Sequence, residues 1–335
     1  MSPDGGRRTW AQRLLGANTL WIGLALLVIV AVFGALRPDA VLTVFTLQSL
    51  LVETSVLLVL SVGMTYVVVT SGIDLSVGSV LVFSSVTSAT AMNALNAGDA
   101  TRAGWGTVLV GLAVALASGA AWGLLNGLLV ARAGLPPLIV TLGSFGAALG
   151  AGQLISNGSN VSRVPDALTD GLGSGTWFDL PNMVILAGAV TALGALVLAT
   201  TRFGRHTYAI GSDEEAARRA GIPVTRHLAG VYLLAGVLAG LAGFMSLAYF
   251  RVASITGHET DNLDAIAAVV LGGTSLFGGS GSVVGTVLGV FIPAVLQKGF
   301  VIVGVNVYWQ PVAVGAVLVA AVWFDQSRRR ARNRR

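Results

Sequence analysis

GMTYVVVTSGIDLSVGS, residues 63–79, decides how the rest of the chain is read. It lies inside an apolar stretch from 56 to 95, too long for one membrane crossing and interrupted in its middle by Gly72, Asp74, Ser76 and Gly78. A carboxylate at the centre of a helical span costs roughly 2.5–3.5 kcal/mol on insertion scales, so Asp74 is not expected to face lipid. Glycines at 72 and 78 suit a chain that breaks inside an apolar layer. Two roles are open to Asp74, and one residue can fill both. It can cap the helix that begins at 75–76 by accepting backbone N–H bonds, or it can line a solute path.

Working outward, the 335 residues are 54% hydrophobic and only 10% charged, against ~25% charged in a soluble domain. So few charges cannot coat a water-facing surface, which excludes a cytosolic enzyme, a nucleic-acid-binding domain and a disordered chain. At about 20 residues per crossing, the apolar runs are 20–36, 47–70, 76–96, 105–130, 135–156, 182–200, 227–250, 263–277, 282–304 and 307–324. The sequence therefore predicts an all-α polytopic membrane protein of about ten transmembrane helices, some of them broken. Residues 1–19 form an N-terminal arm, 20–324 the transmembrane domain and 325–335 a basic tail. With the N-terminus inside, 15 Lys/Arg fall on the inner segments 1–19, 131–134, 201–226 and 325–335. Four fall on the outer segments 37–46, 97–104, 157–181 and 251–262. That bias places both termini in the cytoplasm.

Two loops are long enough to do work: 157–181, acidic and glycine-rich, and 201–226, expected in the cytoplasm. The latter carries a short helix with Ser212 as N-cap and Glu215 at the third position, a capping box, ended by Gly221 and kept from restarting by Pro223. It would present Glu215, Arg218 and Arg219 to a partner, with Ala216 and Ala217 allowing close packing. A second break resembles the first: residues 68–75 and 269–276 share the pattern VVxxGxxL, with Ser275 in place of Asp74. Paired glycine-interrupted spans point to a transport site between repeats, which adds Gly273, Thr274 and Ser275 to the candidate path. Both breaks have the same orientation in this span count. The three histidines, His206, His227 and His258, are far apart in sequence and divided between the two sides, so no shared metal site is expected. There is no cysteine, Lys298 is the sole lysine, and no GxxxxGK[ST], GxSxG or HExxH occurs. The chain thus has no P-loop of its own and no cofactor is expected.

Five ordered strings carry a resemblance: GMTYVVVTSGIDLSVGS (63–79), PPLIVTLGS (136–144), AIGSDEEAARRAGIPV (209–224), AGVLAGLAG (235–243) and LDAIAAVVLGGTSLFGGSGSVVGT (263–286). They resemble the permease subunits of bacterial ABC importers for monosaccharides, of the ribose, xylose and arabinose kind, over residues 45–325. The resemblance implies a type II importer fold in the bacterial inner membrane. It also implies a soluble or lipid-anchored sugar-binding protein outside, a second permease chain, the same or related, and ATPase subunits inside that bind the ATP. Glu215, Ala216, Ala217, Arg218 and Gly221 look like the family's coupling helix, and Gly72, Asp74 and Ser76 match its membrane-path motif. Phe277 stands where many relatives carry a small or polar residue. Other solutes of such importers (a polyol, a signalling furanose, a branched-chain amino acid) remain open, as does an ion-coupled secondary transporter.

Overall fold

The computed structural model describes residues 17–258 and 260–306, with a few positions between 309 and 316. Eleven helices carry the architecture among these residues: α1 Ala17–Leu36, α2 Val44–Val69, α3 Val77–Ala94, α4 Trp105–Ala131, α5 Pro137–Ile155, α6 Asn182–Thr200, α7 Arg202–Ser212, α8 Glu214–Arg219, α9 Val224–Phe250, α10 Asp261–Leu271 and α11 Val283–Val303. Among the described residues, strand is confined to a two-residue pairing, Thr176–Trp177 with Leu180–Pro181. Seven helices, α2 to α6, α9 and α11, are long and apolar enough to cross a membrane, and α1 adds a shorter apolar helix. The chain is an all-α, multi-pass membrane protein.

The eighth expected run needs correction. Residues 263–277 are not one full helical span: α10 has 11 residues, or about 16 Å at 1.5 Å per residue, half of a ~30 Å hydrocarbon layer, and non-helical chain supplies the rest of the passage. Its chain arrives from the loop at 251–260, which was expected to stay outside. Instead it dips until Asn262 Nδ2 donates to the Leu75 carbonyl at 2.9 Å, inside the first break. The tenth run, 307–324, and the basic tail lie largely outside the described residues, as does the arm up to residue 16.

Helices α2 and α9 form the centre. The most apolar window of α2 is 83% buried, while that of α6 is 22% buried, so α2 lies inside the bundle and α6 on its periphery. Close approach explains the α4–α9 seam. Gly119 and Gly123 of α4 stand against Gly236, Gly240 and the Tyr232 carbonyl of α9, where a Cβ on either would overlap backbone. In lipid no hydrophobic force drives helices together, so such small-residue contact supplies the packing. Hydroxyls inside the spans bond back to their own helix, as Thr65 Oγ1 does to the Ser61 carbonyl at 2.7 Å. Thr65 also meets Thr286 across α2 and α11 at 2.7 Å.

Loops assigned to one side by the Lys/Arg bias meet one another. Ala100 N donates to the Arg163 carbonyl and Asp166 N to that of Thr101. Val161 bridges Ala253, Arg251 pairs with Asp170 at 2.9 Å, and Gln48 Nε2 reaches the Asp179 carbonyl. At the far end of α4, Ala131, Gly134 and Pro136 share a cleft with Glu214 and Arg218.

Candidate functional site

Both breaks begin with the same device. Helix α2 ends with Ser71 in the left-handed region at φ 63°; Ser71 N donates to the Val68 carbonyl and Gly72 N to that of Val67. Helix α10 ends with Gly273 at φ 83°, Gly273 N donating to Val270 and Thr274 N to Val269. Each is a Schellman closure, which satisfies carbonyls left over at a helix end. The sequence pattern pairs Gly72 with Gly273, whereas the folded equivalents are Ser71 and Gly273, one residue out of step. Shared valines cannot set that register; the position that must take positive φ does.

Beyond the closure, Asp74 and Ser275 do equivalent work. Asp74 Oδ1 accepts from Ser76 N at 2.8 Å and from Ser76 Oγ at 2.6 Å, and Ser275 Oγ accepts from Phe277 N at 3.1 Å. Both are turns in which a side chain bonds backbone two residues on. Asp74 is therefore not the cap of a helix at 75–76: α3 begins at Val77, with Ser76 in the N-cap position. The carboxylate is 2% exposed and heads a buried chain of hydrogen bonds. Asn126 Nδ2 of α4 donates to Ser76 Oγ at 2.8 Å, and Ser144 of α5 donates to Asn126 Oδ1. Thr141 Oγ1 reaches the Ile73 carbonyl at 3.3 Å. The sequence reading missed Ser144 and Thr141, whose helical spacing on α5 was the available signal. Gly78 packs against the His258 carbonyl at the entry to α10. Thr274 and Ser275 are 3% and 4% exposed.

The two breaks converge on the end of α7. Gly279 N donates to the Val69 carbonyl at 2.9 Å. Ser71 Oγ lies 2.8 Å from the Phe277 carbonyl and 3.3 Å from that of Gly211. Gly211 sits where a Cβ would run into the Val69 carbonyl and come within 2.7 Å of Gly279 N. Tyr208 OH, one turn earlier, donates to the Gly281 carbonyl at 2.8 Å. Phe277 contributes its backbone to this knot, and its side chain is 61% exposed.

Helix α8 follows at once. Its N-cap is Asp213, whose side chain accepts from Ala216 N at 2.9 Å. Ser212 instead closes α7, its hydroxyl bonding the Tyr208 carbonyl. The expected capping box at Ser212 and Glu215 is thus displaced by one residue: Asp213 offers a charged acceptor where the dipole favours one. Glu215 pairs with Arg219 and Glu214 with Arg218, one turn on, and these side chains are exposed. Gly221 ends the helix as expected, at φ 81°. Gly221 N donates to Arg218 and Ile222 N to Ala217, a third Schellman closure. Ala217, 5% exposed, packs with Ile210 and Val224, so α8 is tied to α7 and α9.

Between α8 and the first break lies a cleft of about 460 Å³ lined by Thr70, Ser71, Gly72, Glu214, Arg218 and Tyr232, among others. Of the histidines, His206 and His227 do come together, ring centroids 5.7 Å apart, while His258 bonds Ser246 and Asp261. Among the described residues no three His, Cys, Asp or Glu converge as metal ligands.

Comparison with known proteins gives this geometry a family. Residues 46–322 match the family described as branched-chain amino acid transport system / permease component. The chain is 38% identical over 312 residues to the ribose import permease protein RbsC of Escherichia coli (strain K12), covering 91% of this chain and 92% of that one. It is 34% identical over 327 residues to the fructose import permease protein FrcC of Rhizobium meliloti, at 94% and 87% coverage. With the galactose/methyl galactoside import permease protein MglC of Escherichia coli (strain K12) the identity is 31% over 314 residues, at 91% and 93% coverage. No solved structure matches. The chain belongs to this family of transport permeases.

Proposed function

We propose that the chain is the membrane-spanning subunit of an ATP-driven ABC importer that carries a monosaccharide, a pentose or similar. The relatives are import permeases for ribose, fructose and galactose/methyl galactoside, which supports the solute class. The observation that carries the coupling is the knot at Gly211, where one short segment touches both membrane breaks. An ATPase subunit gripping α8 through Glu215, Arg218 and the close-packing Ala216 and Ala217 would move α7 as a lever. The Val69 carbonyl and Gly279 would move with it. Gly221 ends the lever and turns the chain into α9. The segments Gly72–Gly78 and Gly273–Ser275 are the moving parts of the path, with Asp74 and Ser76 holding the first in shape.

The other partners follow from the same division of labour. The linked loops at 97–104, 157–181 and 251–256 offer a firm platform for an extracytoplasmic sugar-binding protein. A second permease chain completes the path, both termini lie in the cytoplasm, and ATP is bound by the ATPase pair. Sugar selection rests with the binding protein, so the path itself needs only weak, hydrated contacts.

Purifying the tagged chain gently from its native membrane is expected to bring down an ATPase and a solute-binding protein loaded with a monosaccharide. A binding protein loaded with an amino acid would move the solute to the runner-up class while keeping the coupling. A chain that purifies alone from intact membranes would contradict the reading.

A further inference from the structure

Helices α2, α10 and α11 line one cleft of about 130 Å³ with five polar side chains, Glu53, Thr54, Asp264, Gln297 and Lys298, of which all but Thr54 are long or charged. Lys298 Nζ lies 2.7 Å from Glu53 Oε1, with the two side chains 27% and 45% exposed. These are not end-of-helix residues reaching into headgroups. Glu53 is nine residues into α2, about 13 Å along its axis at 1.5 Å per residue, and Lys298 precedes the end of α11 by five residues. Charged groups at span depth do not face lipid; they face protein or water. A second chain seated flush on the cleft would bury three charges with only one pair matched, since Asp264 has no ion-pair partner among the described residues. Burying an uncompensated charge is far costlier than burying a pair. Water beside the cluster resolves the difficulty.

We propose that Glu53, Asp264, Gln297 and Lys298 form a hydroxyl-binding station on the wall of the solute path; the proposal rests on the sugar reading above. Carboxylates accept from vicinal hydroxyls, the ammonium donates, and the carboxamide can do either. The cluster's net negative charge suits a neutral polyhydroxylated solute and repels an anionic one. Leu57, Pro293 and Ala294 give the cleft an apolar floor for the C–H face of a sugar ring. Contacts of this kind to a part-open cleft are weak, as a transit site requires.

Because the chain has no cysteine, a single introduced thiol reports on this site. In the full complex in vesicles, Ala294→Cys is expected to react with a membrane-impermeant methanethiosulfonate. An excess of transported sugar with its binding protein should slow labelling at least fivefold. Leu196→Cys on the peripheral, apolar α6, 57% exposed, is expected to stay unlabelled. Asp264→Asn and Glu53→Gln are each expected to lower uptake of labelled aldopentoses or aldohexoses about tenfold, roughly 1.4 kcal/mol. ATP hydrolysis stimulated by the binding protein should persist. A thiol at 294 that is inert both with and without ATP, or carboxamide variants that transport at the wild-type rate, would overturn the station. A wild-type complex that carries none of these sugars would overturn the sugar reading and the hydroxyl-binding role together. Labelling at 294 would then still show that the cluster faces water.

Discussion

Replacing Gly211 by valine is expected to lower solute uptake at least tenfold in the assembled complex and to uncouple ATP hydrolysis from the loaded binding protein. The side chain has nowhere to go. Its first carbon would already overlap the Val69 carbonyl at the end of α2 and press on Gly279 N in the second break. Both obstacles are backbone, so neither can rotate aside. The end of α7 must draw back from both breaks, which strains or breaks the Gly279–Val69 hydrogen bond. Forcing extra carbon into a packed site costs about 1–3 kcal/mol, enough to separate lever and load without unfolding a chain of this size. ATP hydrolysis and uptake measured on the same reconstituted sample check the expectation. Gly143→Val serves as control, because nothing lies within 4 Å of a Cβ there. Wild-type uptake and stimulation in Gly211→Val would show that the knot does not carry the motion.

The second large effect is expected at Asp74, where alanine and asparagine should part company. Alanine removes the acceptor of both Ser76 N and Ser76 Oγ. A buried donor left without a partner costs about 1–3 kcal/mol, and two are exposed to that penalty here. The loss propagates, since Ser76 Oγ is the acceptor for Asn126, and Asn126 in turn for Ser144. Asparagine keeps an oxygen at the same place and can hold the turn. Asp74→Ala is therefore expected to reduce the yield of folded, monodisperse protein severalfold, and Asp74→Asn to restore most of it. Size-exclusion profiles and thermal denaturation of the detergent-solubilised complex measure this directly. Normal assembly in both variants with uptake lost in both would mean that the carboxylate acts on the solute rather than on the break.

How much of this was legible beforehand differs by element. The long spans followed from composition and run length, because a bilayer imposes a length that the apolar runs display. Arg placement sorted the loops into two groups, and loops placed in the same group do touch. The half-span α10 was legible only in part: residues 263–277 form a short run broken by Gly272 and Gly273, and only the folded chain shows Leu271 followed by a left-handed Gly273 rather than another turn. At the helix ends the register of the paired breaks slipped by one for a related reason, while Asp74 and Ser275 stayed in step. Pattern matching aligned glycines, but Ser71 takes positive φ without being one. The cap of α8 moved from Ser212 to Asp213 because two candidate acceptors stand side by side and the end of α7, unseen in the sequence, claims the first. The convergence on Gly211 was least legible of all. It joins residues near 70, 211 and 279, and no local pattern announces contacts over such separations. Glu53 and Lys298 lie 245 positions apart, so their pairing was equally hidden, although a charged residue well inside an apolar run was the available sign.

One measurement bears most directly on the proposal that a separate ATPase drives this permease. The purified chain, reconstituted alone in vesicles holding a steep proton or sodium gradient, is expected to take up no more labelled pentose or hexose than protein-free vesicles. Adding the co-purified ATPase, the binding protein and ATP should start uptake. Gradient-driven accumulation by the chain by itself would contradict it.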